Sequence, residues 1–130
     1  MSQNTALTAG TRLIAEERTR QIEVEGYRPS HDVRHFEGEL AYGAICYAYP
    51  NKKLILKRQD TTDPNVPTVY LKNGPEGEGT YLVMPPSVWP FGLESWKPTP
   101  KDRIRELTKA GAMIAAEIDR LLLIKKENDV

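Results

Sequence analysis

The sequence predicts an α+β fold of three main helices, with a small antiparallel β hairpin or sheet inserted between the second and third. Apolar residues recur at helical spacing in two stretches, residues 36–49 and residues 104–122. Between them lie three short runs rich in β-branched, leucine and aromatic residues, at 53–58, 68–71 and 80–84. Two loops of turn chemistry, residues 61–67 and 73–79, separate these runs.

At 130 residues the chain is the size of a single domain, 1–130. Within it we expect a flexible N-terminus over 1–10, a strand-rich insertion over 51–84 and a loose tail over 126–130. Eighteen basic residues balance eighteen acidic ones. A formal net charge of zero leaves no sequence-wide footprint for general nucleic-acid binding or for an anionic membrane surface. The single cysteine, Cys46, sits in an apolar stretch, which fits core packing in a reducing compartment. No apolar run is long enough to span a membrane and no leader pattern opens the chain, so a cytoplasmic location is expected.

The first helix is expected to start near Thr8 or Thr11, either of which can cap it, and to stop before Gly26 and the segment 28–30. Its apolar cover is thin. Leu7, Ile14, Arg18, Gln21, Ile22 and Glu25 fall near one stripe, so the helix must either lie half-solvated, its charges paired at the surface, or turn polar side chains toward a partner, a ligand or another subunit. In the second helix Leu40, Ala41, Ala44, Ile45 and Ala48 share a face that reads as core, and Pro50 stops the run. Residues 85–98 form an irregular, proline-rich segment holding Trp89, Phe91 and Trp96.

Thr99 is the expected cap of the third helix, with Pro100 in the first helical position and Asp102 near its positive end. Ile104, Leu107, Gly111, Ile114, Ile118, Leu121 and Leu122 follow the helical period, with Ala110 and Ala115 beside them. This arc is the expected contact with the second helix, because its small residues let another helix approach closely. Lys125 and Lys126 complement the negative helix end.

Several groupings could carry chemistry. His31, His35 and Glu39 would stack at four-residue intervals if their backbone were helical, and with Glu117 they form the candidate metal set. The competing reading makes His31, Asp32 and His35 a hydrogen-bond cluster that caps the next helix or contacts a ligand. Arg18, Arg20, Gln21 and Arg103 could grip phosphate or carboxylate. A plainer reading pairs Arg18 or Arg20 with Glu117 in one interhelical salt bridge. Trp89 and Trp96, with Lys97 beside them, could stack a base or could simply close the core. No phosphate-cradling glycine loop and no Ser-His-Asp arrangement accompanies them.

Glu17-Arg18-x-Arg20-Gln21, Glu25-Gly26-Tyr27, His31-Asp32-x-x-His35, Gly38-Glu39-Leu40-Ala41, Trp89-Pro90, Trp96-Lys97-Pro98 and the stretch from Arg105 to Leu121 together resemble a family of small proteins of tailed phages and prophages. That resemblance implies a phage accessory protein in the cytoplasm of a bacterial host and no particular reaction. Gly38-Glu39-Leu40 and Ala116-Glu117-Ile118-Asp119 are distantly similar to the all-α MazG-type nucleotide pyrophosphohydrolases. Those enzymes imply Mg2+ or Mn2+ held by paired carboxylates, but Glu39 and Glu117 each lack the second carboxylate three residues on.

The expected function is therefore binding of a small nucleotide-derived or other phosphate-bearing molecule, without catalysis and without a cofactor, as in sequestering a host defence signal. Arg18, Arg20, Gln21, His31, Asp32, His35, Trp89, Trp96, Lys97 and Arg103 are the candidate ligand contacts, and a homo-oligomer is the expected assembly. Metal-dependent nucleotide hydrolysis and inhibition of a host enzyme through the strand insertion are the alternatives.

Overall fold

The computed structural model describes residues 7–24, 38–58 and 66–128. The three helices are α1 (Ala9–Glu23), α2 (Glu39–Ala48) and α3 (Arg103–Asn128). Strands β1 (Leu54–Leu56), β2 (Thr68–Gly74) and β3 (Gly77–Val83) lie between α2 and α3 in sequence and form one antiparallel sheet in the order β1-β3-β2. The α+β fold is the one expected.

Thr8 caps α1, its hydroxyl accepting the Thr11 amide at 3.3 Å. The helix thus begins at Ala9, inside the stretch expected to be loose, because the cap satisfies one of the amides that otherwise fray. At the other end of the chain α3 runs to Asn128, through residues 126–128 of the expected tail, with Lys125 and Lys126 in its last turn.

The start of α3 also differs from expectation. Asp102, not Thr99, is the cap, since the Arg105 amide donates to its carboxylate at 3.0 Å. Thr99 instead opens a turn, with the Asp102 amide bonded to its carbonyl at 2.8 Å. Pro100 occupies the turn position that its fixed φ favours, so the proline turns the chain into the helix rather than beginning it.

A two-residue turn, Pro75-Glu76, joins β2 to β3, and Gly77 supplies the positive φ of 98° that follows it. Gly74 is needed for a different reason. A Cβ there would lie 2.3 Å from the ring of Tyr81, whose hydroxyl donates to the Gly77 carbonyl at 2.7 Å and accepts the Glu76 amide at 2.8 Å. Across the same pair the Tyr70 hydroxyl bonds the Glu78 carboxylate.

The core lies where α2, α3 and the end of β3 meet. It joins Ala44, Cys46 and Tyr47 of α2 to Val83, Trp96 and Ala110. Trp96 is 1% exposed, its indole nitrogen donating to the Val83 carbonyl at 2.9 Å. Tyr47 stacks on it with ring centres 5.0 Å apart, and Trp89 meets it edge-on at the same separation. Gly43 makes room for Met113 of α3 and Phe91, since a Cβ would fall 2.3 Å from the Met113 methyl.

Two helix faces are turned differently from the sequence reading. In α2 the buried residues are Leu40, Gly43, Ala44, Cys46 and Tyr47, while Ile45 is exposed. In α3 the buried residues are Glu106, Thr108, Ala110, Ala112, Ala116 and Arg120. The expected core stripe Ile104, Leu107, Ile114, Ile118, Leu121 and Leu122 instead stands 46% to 67% exposed. Ala112 and Ala116 let the neighbouring elements come close, and the buried charges are neutralised within the interface. The α-helical period therefore marks an apolar face whose large side chains stay exposed, with α1 meeting it at Gly111 through Ile14.

Trp96→Ala should lower the unfolding free energy by about 3–5 kcal/mol, because it empties a large volume and leaves the Val83 carbonyl without its donor. Urea denaturation followed by far-UV circular dichroism measures this, and a loss below about 1 kcal/mol would contradict the central placement of Trp96.

Candidate functional site

The polar stripe of α1 turns inward. Glu17, Arg18 and Gln21 are buried against the rest of the chain. Glu17 sits at the centre, gripped in bidentate fashion by Arg20, whose Nε and Nη2 each donate to one carboxylate oxygen at 2.9 Å. Arg105 of α3 donates to the same carboxylate at 2.7 Å, and the Gln21 amide at 3.2 Å. Burial alone would raise this carboxyl, but the hydrogen bonds and positive charge of Arg20 and Arg105 outweigh it and hold Glu17 at about 2. One helical position on, Arg18 reaches Asp119 of α3 at 3.2 Å.

A depression of about 310 Å³ opens beside this cluster, lined by Leu13, Glu16, Glu17, Arg20, Asp102, Ile104, Arg105 and Thr108. Its ionisable lining has three carboxylates and two guanidiniums, both of which already bond Glu17. An anionic ligand entering it would meet net negative charge, so the depression is poorly suited to phosphate.

A second buried carboxylate, Glu106, joins α2 to α3. Lys52 donates to it at 3.1 Å, with both side chains 3% exposed, and the Thr99 amide donates to its other oxygen at 3.1 Å. Lys52 also donates to the carbonyls of Tyr47 and Tyr49 at 3.0 and 2.8 Å. Arg103 bonds the Tyr47 carbonyl at 3.1 Å and those of Ala48 and Tyr49, besides reaching Glu106 at 3.5 Å. Together these two cations cap the C-terminal end of α2, where unpaired carbonyls concentrate negative charge. Burial pulls the Lys52 ammonium below its ordinary range, while Glu106 opposes that pull.

Among the described residues, the candidate ligand contacts are divided between separate parts of the fold. Arg18, Arg20 and Gln21 serve the α1–α3 contact, whereas Arg103 serves the α2–α3 contact. Trp96 offers no face to a ligand, because Tyr47 and Trp89 occupy its surroundings and its exposure is negligible. Trp89 is half-buried, bonded to the Gly92 carbonyl at 3.1 Å and edge-on to Phe91. Lys97 is exposed, and its backbone rather than its ammonium is engaged. Its carbonyl accepts Lys109 at 2.7 Å, and its amide donates to the Tyr47 hydroxyl at 3.1 Å.

The expected Arg18 or Arg20 to Glu117 bridge is replaced. Glu117 pairs with Arg120 on its own helix at 2.6 Å, three residues on, and Arg18 takes Asp119 instead. His31, Asp32 and His35 lie outside the described residues. Glu39 is partly buried at the start of α2, and among the described residues no group of three or more His, Cys, Asp or Glu side chains could hold a metal ion.

Lys52, Arg105 and Glu106 are the residues whose importance sequence reading missed. The signal available for two of them was the adjacent pair Arg105-Glu106, a turn away from Asp102 at the clearest helix start in the chain. Every buried side-chain nitrogen and oxygen among the described residues has a partner, so no polar group is left aimed at a vacancy.

Glu106→Gln should cost about 3 kcal/mol in chemical denaturation, because it leaves the Lys52 ammonium buried without its counter-charge. A second change, Lys52→Met, should recover part of that loss. Because Glu17 is held low in the folded chain, its contribution is fully present above the ordinary carboxylate range near 4.5 and is lost as pH falls toward about 2. Melting temperature recorded from pH 6 down to about 2 should therefore fall less steeply in Glu17→Gln than in the parent, although the variant starts lower.

No helix of the described residues is long and apolar enough to cross a membrane. Comparisons of the chain with protein-family models, with curated proteins and with solved structures return no match.

Proposed function

We propose that the chain is a non-catalytic accessory protein that works by binding another polypeptide, with the outer face of α3 as the contact surface. The observation that carries this reading is the row of large aliphatic side chains from Ile104 to Leu122, left exposed while the alanines of the same helix are buried. Contiguous apolar surface of that kind is costly in water and is characteristic of protein interfaces. The cationic and aromatic residues that a nucleotide would need support the same choice by default, since Arg18, Arg20, Arg103 and Trp96 are engaged within the chain.

This reading keeps the accessory role that the phage resemblance implies and moves the contact from the strand insertion to α3. It also removes any requirement for a magnesium ion.

A photo-crosslinking amino acid at position 122, in protein expressed in bacterial cells, should give a covalent adduct to a polypeptide. A panel of nucleotides and cyclic nucleotides should leave the melting temperature of the purified chain unchanged. Loss of all adducts, or a nucleotide-induced shift of several degrees, would overturn the reading.

A further inference from the structure

We infer that the polypeptide seated on the outer face of α3 is a second copy of this chain, paired with the first in antiparallel fashion about a two-fold axis. This rests on the polypeptide-binding reading above and names its partner. The residues of this face do more than recur at helical spacing. Ile104, Leu107, Gly111, Ile114, Ile118, Leu121 and Lys125 are separated alternately by three and four residues, the seam spacing of helices that pack side by side over several turns. A helix buried within its own domain has no need of a strict seven-residue repeat on the side facing solvent.

The one gap in that seam is filled from within the chain. At Gly111 a Cβ would come 2.5 Å from the δ-methyl of Ile14, so α1 places an isoleucine over the position where α3 has no side chain. Apolar surface therefore continues from Ile104 to Leu122, a length of about 27 Å along the helix.

The area matches what a stable pair requires. Six half-exposed leucines and isoleucines present roughly 600 Å² per copy, at the upper end of the largest patches on monomers and, for two copies, near the lower bound of specific interfaces. Leu13, exposed beside Ile104 at the edge of the seam, extends it further.

Charge selects self-pairing and its direction. The chain has no net charge, so two copies do not repel as wholes. Along the seam the sole ionised side chain is Lys125, at the C-terminal end. Parallel pairing would set the two Lys125 ammonium groups side by side. Antiparallel pairing separates them and brings each toward the helix start of the other copy, where Asp102 stands as the cap. Glu117, beside the seam, is already neutralised by Arg120. Closed two-fold pairing uses the same surface on both copies, which is the commonest solution for a single self-complementary face.

The test is the mass of the full chain in solution by light scattering after size exclusion, at micromolar concentrations. The parent should run as two chains and Ile118→Glu as one, with unchanged helix content and no loss of melting temperature beyond that of dissociation. Tyr70→Ser, on the sheet, should remain a dimer. Under oxidation Ile114→Cys should form an intermolecular disulfide, because that position lies near the two-fold axis, and Lys125→Cys should not. A monomeric parent, a dimeric Ile118→Glu, or crosslinking through Lys125→Cys alone would each overturn the proposal. The position-122 adduct separates the two levels. An adduct of twice the chain's mass supports a second copy, and an adduct of any other mass sinks self-pairing while leaving polypeptide binding in place.

Discussion

The arrangement of the two central helices depends on the carboxylate of Glu106. It is buried where water cannot solvate it, and it draws in Lys52, Arg103 and the Thr99 amide. Because Lys52 and Arg103 simultaneously hold the last carbonyls of α2, one charge fixes the end of one helix against the beginning of another. The aromatic stack of Tyr47 on Trp96 lies alongside, and Tyr47 supplies one of those carbonyls. Removing the carboxylate would leave an ammonium and a set of helix-end dipoles competing for water that the packed rings exclude.

A second buried carboxylate repeats the device on the other side of α3. Glu17 gathers Arg20, Gln21 and Arg105, and so docks a helix with scarcely any apolar cover. Charged docking of this kind contributes less to net stability than an apolar interface of equal size, but it is exacting about geometry. It also leaves the aliphatic side of α3 exposed, because among the described residues the contacts of α3 with α1 and α2 use mainly its small residues, Met113 and its charges.

That division of labour explains what could be read from the sequence. The three helices and the β-rich middle were legible, because each follows from local periodicity or turn chemistry, whereas the cap of α3 lies at Asp102 and not at the Thr99-Pro100 signature. The orientation of α3 was not. Periodicity locates an apolar stripe but says nothing about whether the chain itself covers it, and Ala112 and Ala116 carry too little hydrophobicity to compete with Ile114 and Ile118 in such a reading. The thin apolar cover of α1 leaves open whether its polar stripe lies in solvent or meets partners, and which partners depends on helix rotation, so a bridge to Glu117 reads as well as the one to Asp119 that forms. For the site, residue chemistry suggested arginines and tryptophans free to meet a ligand. Whether a guanidinium is free is a property of the folded neighbourhood, and here it is decided partly by near neighbours, as Glu17 for Arg20, and partly by carboxylates far along the chain, as Asp119 for Arg18 and Glu17 for Arg105.

The tyrosine laid over Gly74 carries an implication for the order of events during folding. Tyr81 reaches only seven residues back along the chain to rest on that glycine, and its hydroxyl ties both sides of the bend at Glu76 and Gly77. Contacts this short in sequence close with little loss of chain entropy, on a timescale of about microseconds. The β2–β3 ribbon can thus set its own alignment, Val69 opposite Tyr81 and Thr68 opposite Leu82, before any helix docks. The strand β1, and with it α2, then has a preformed edge on which to settle, and the slow search is reduced to bringing α3 home.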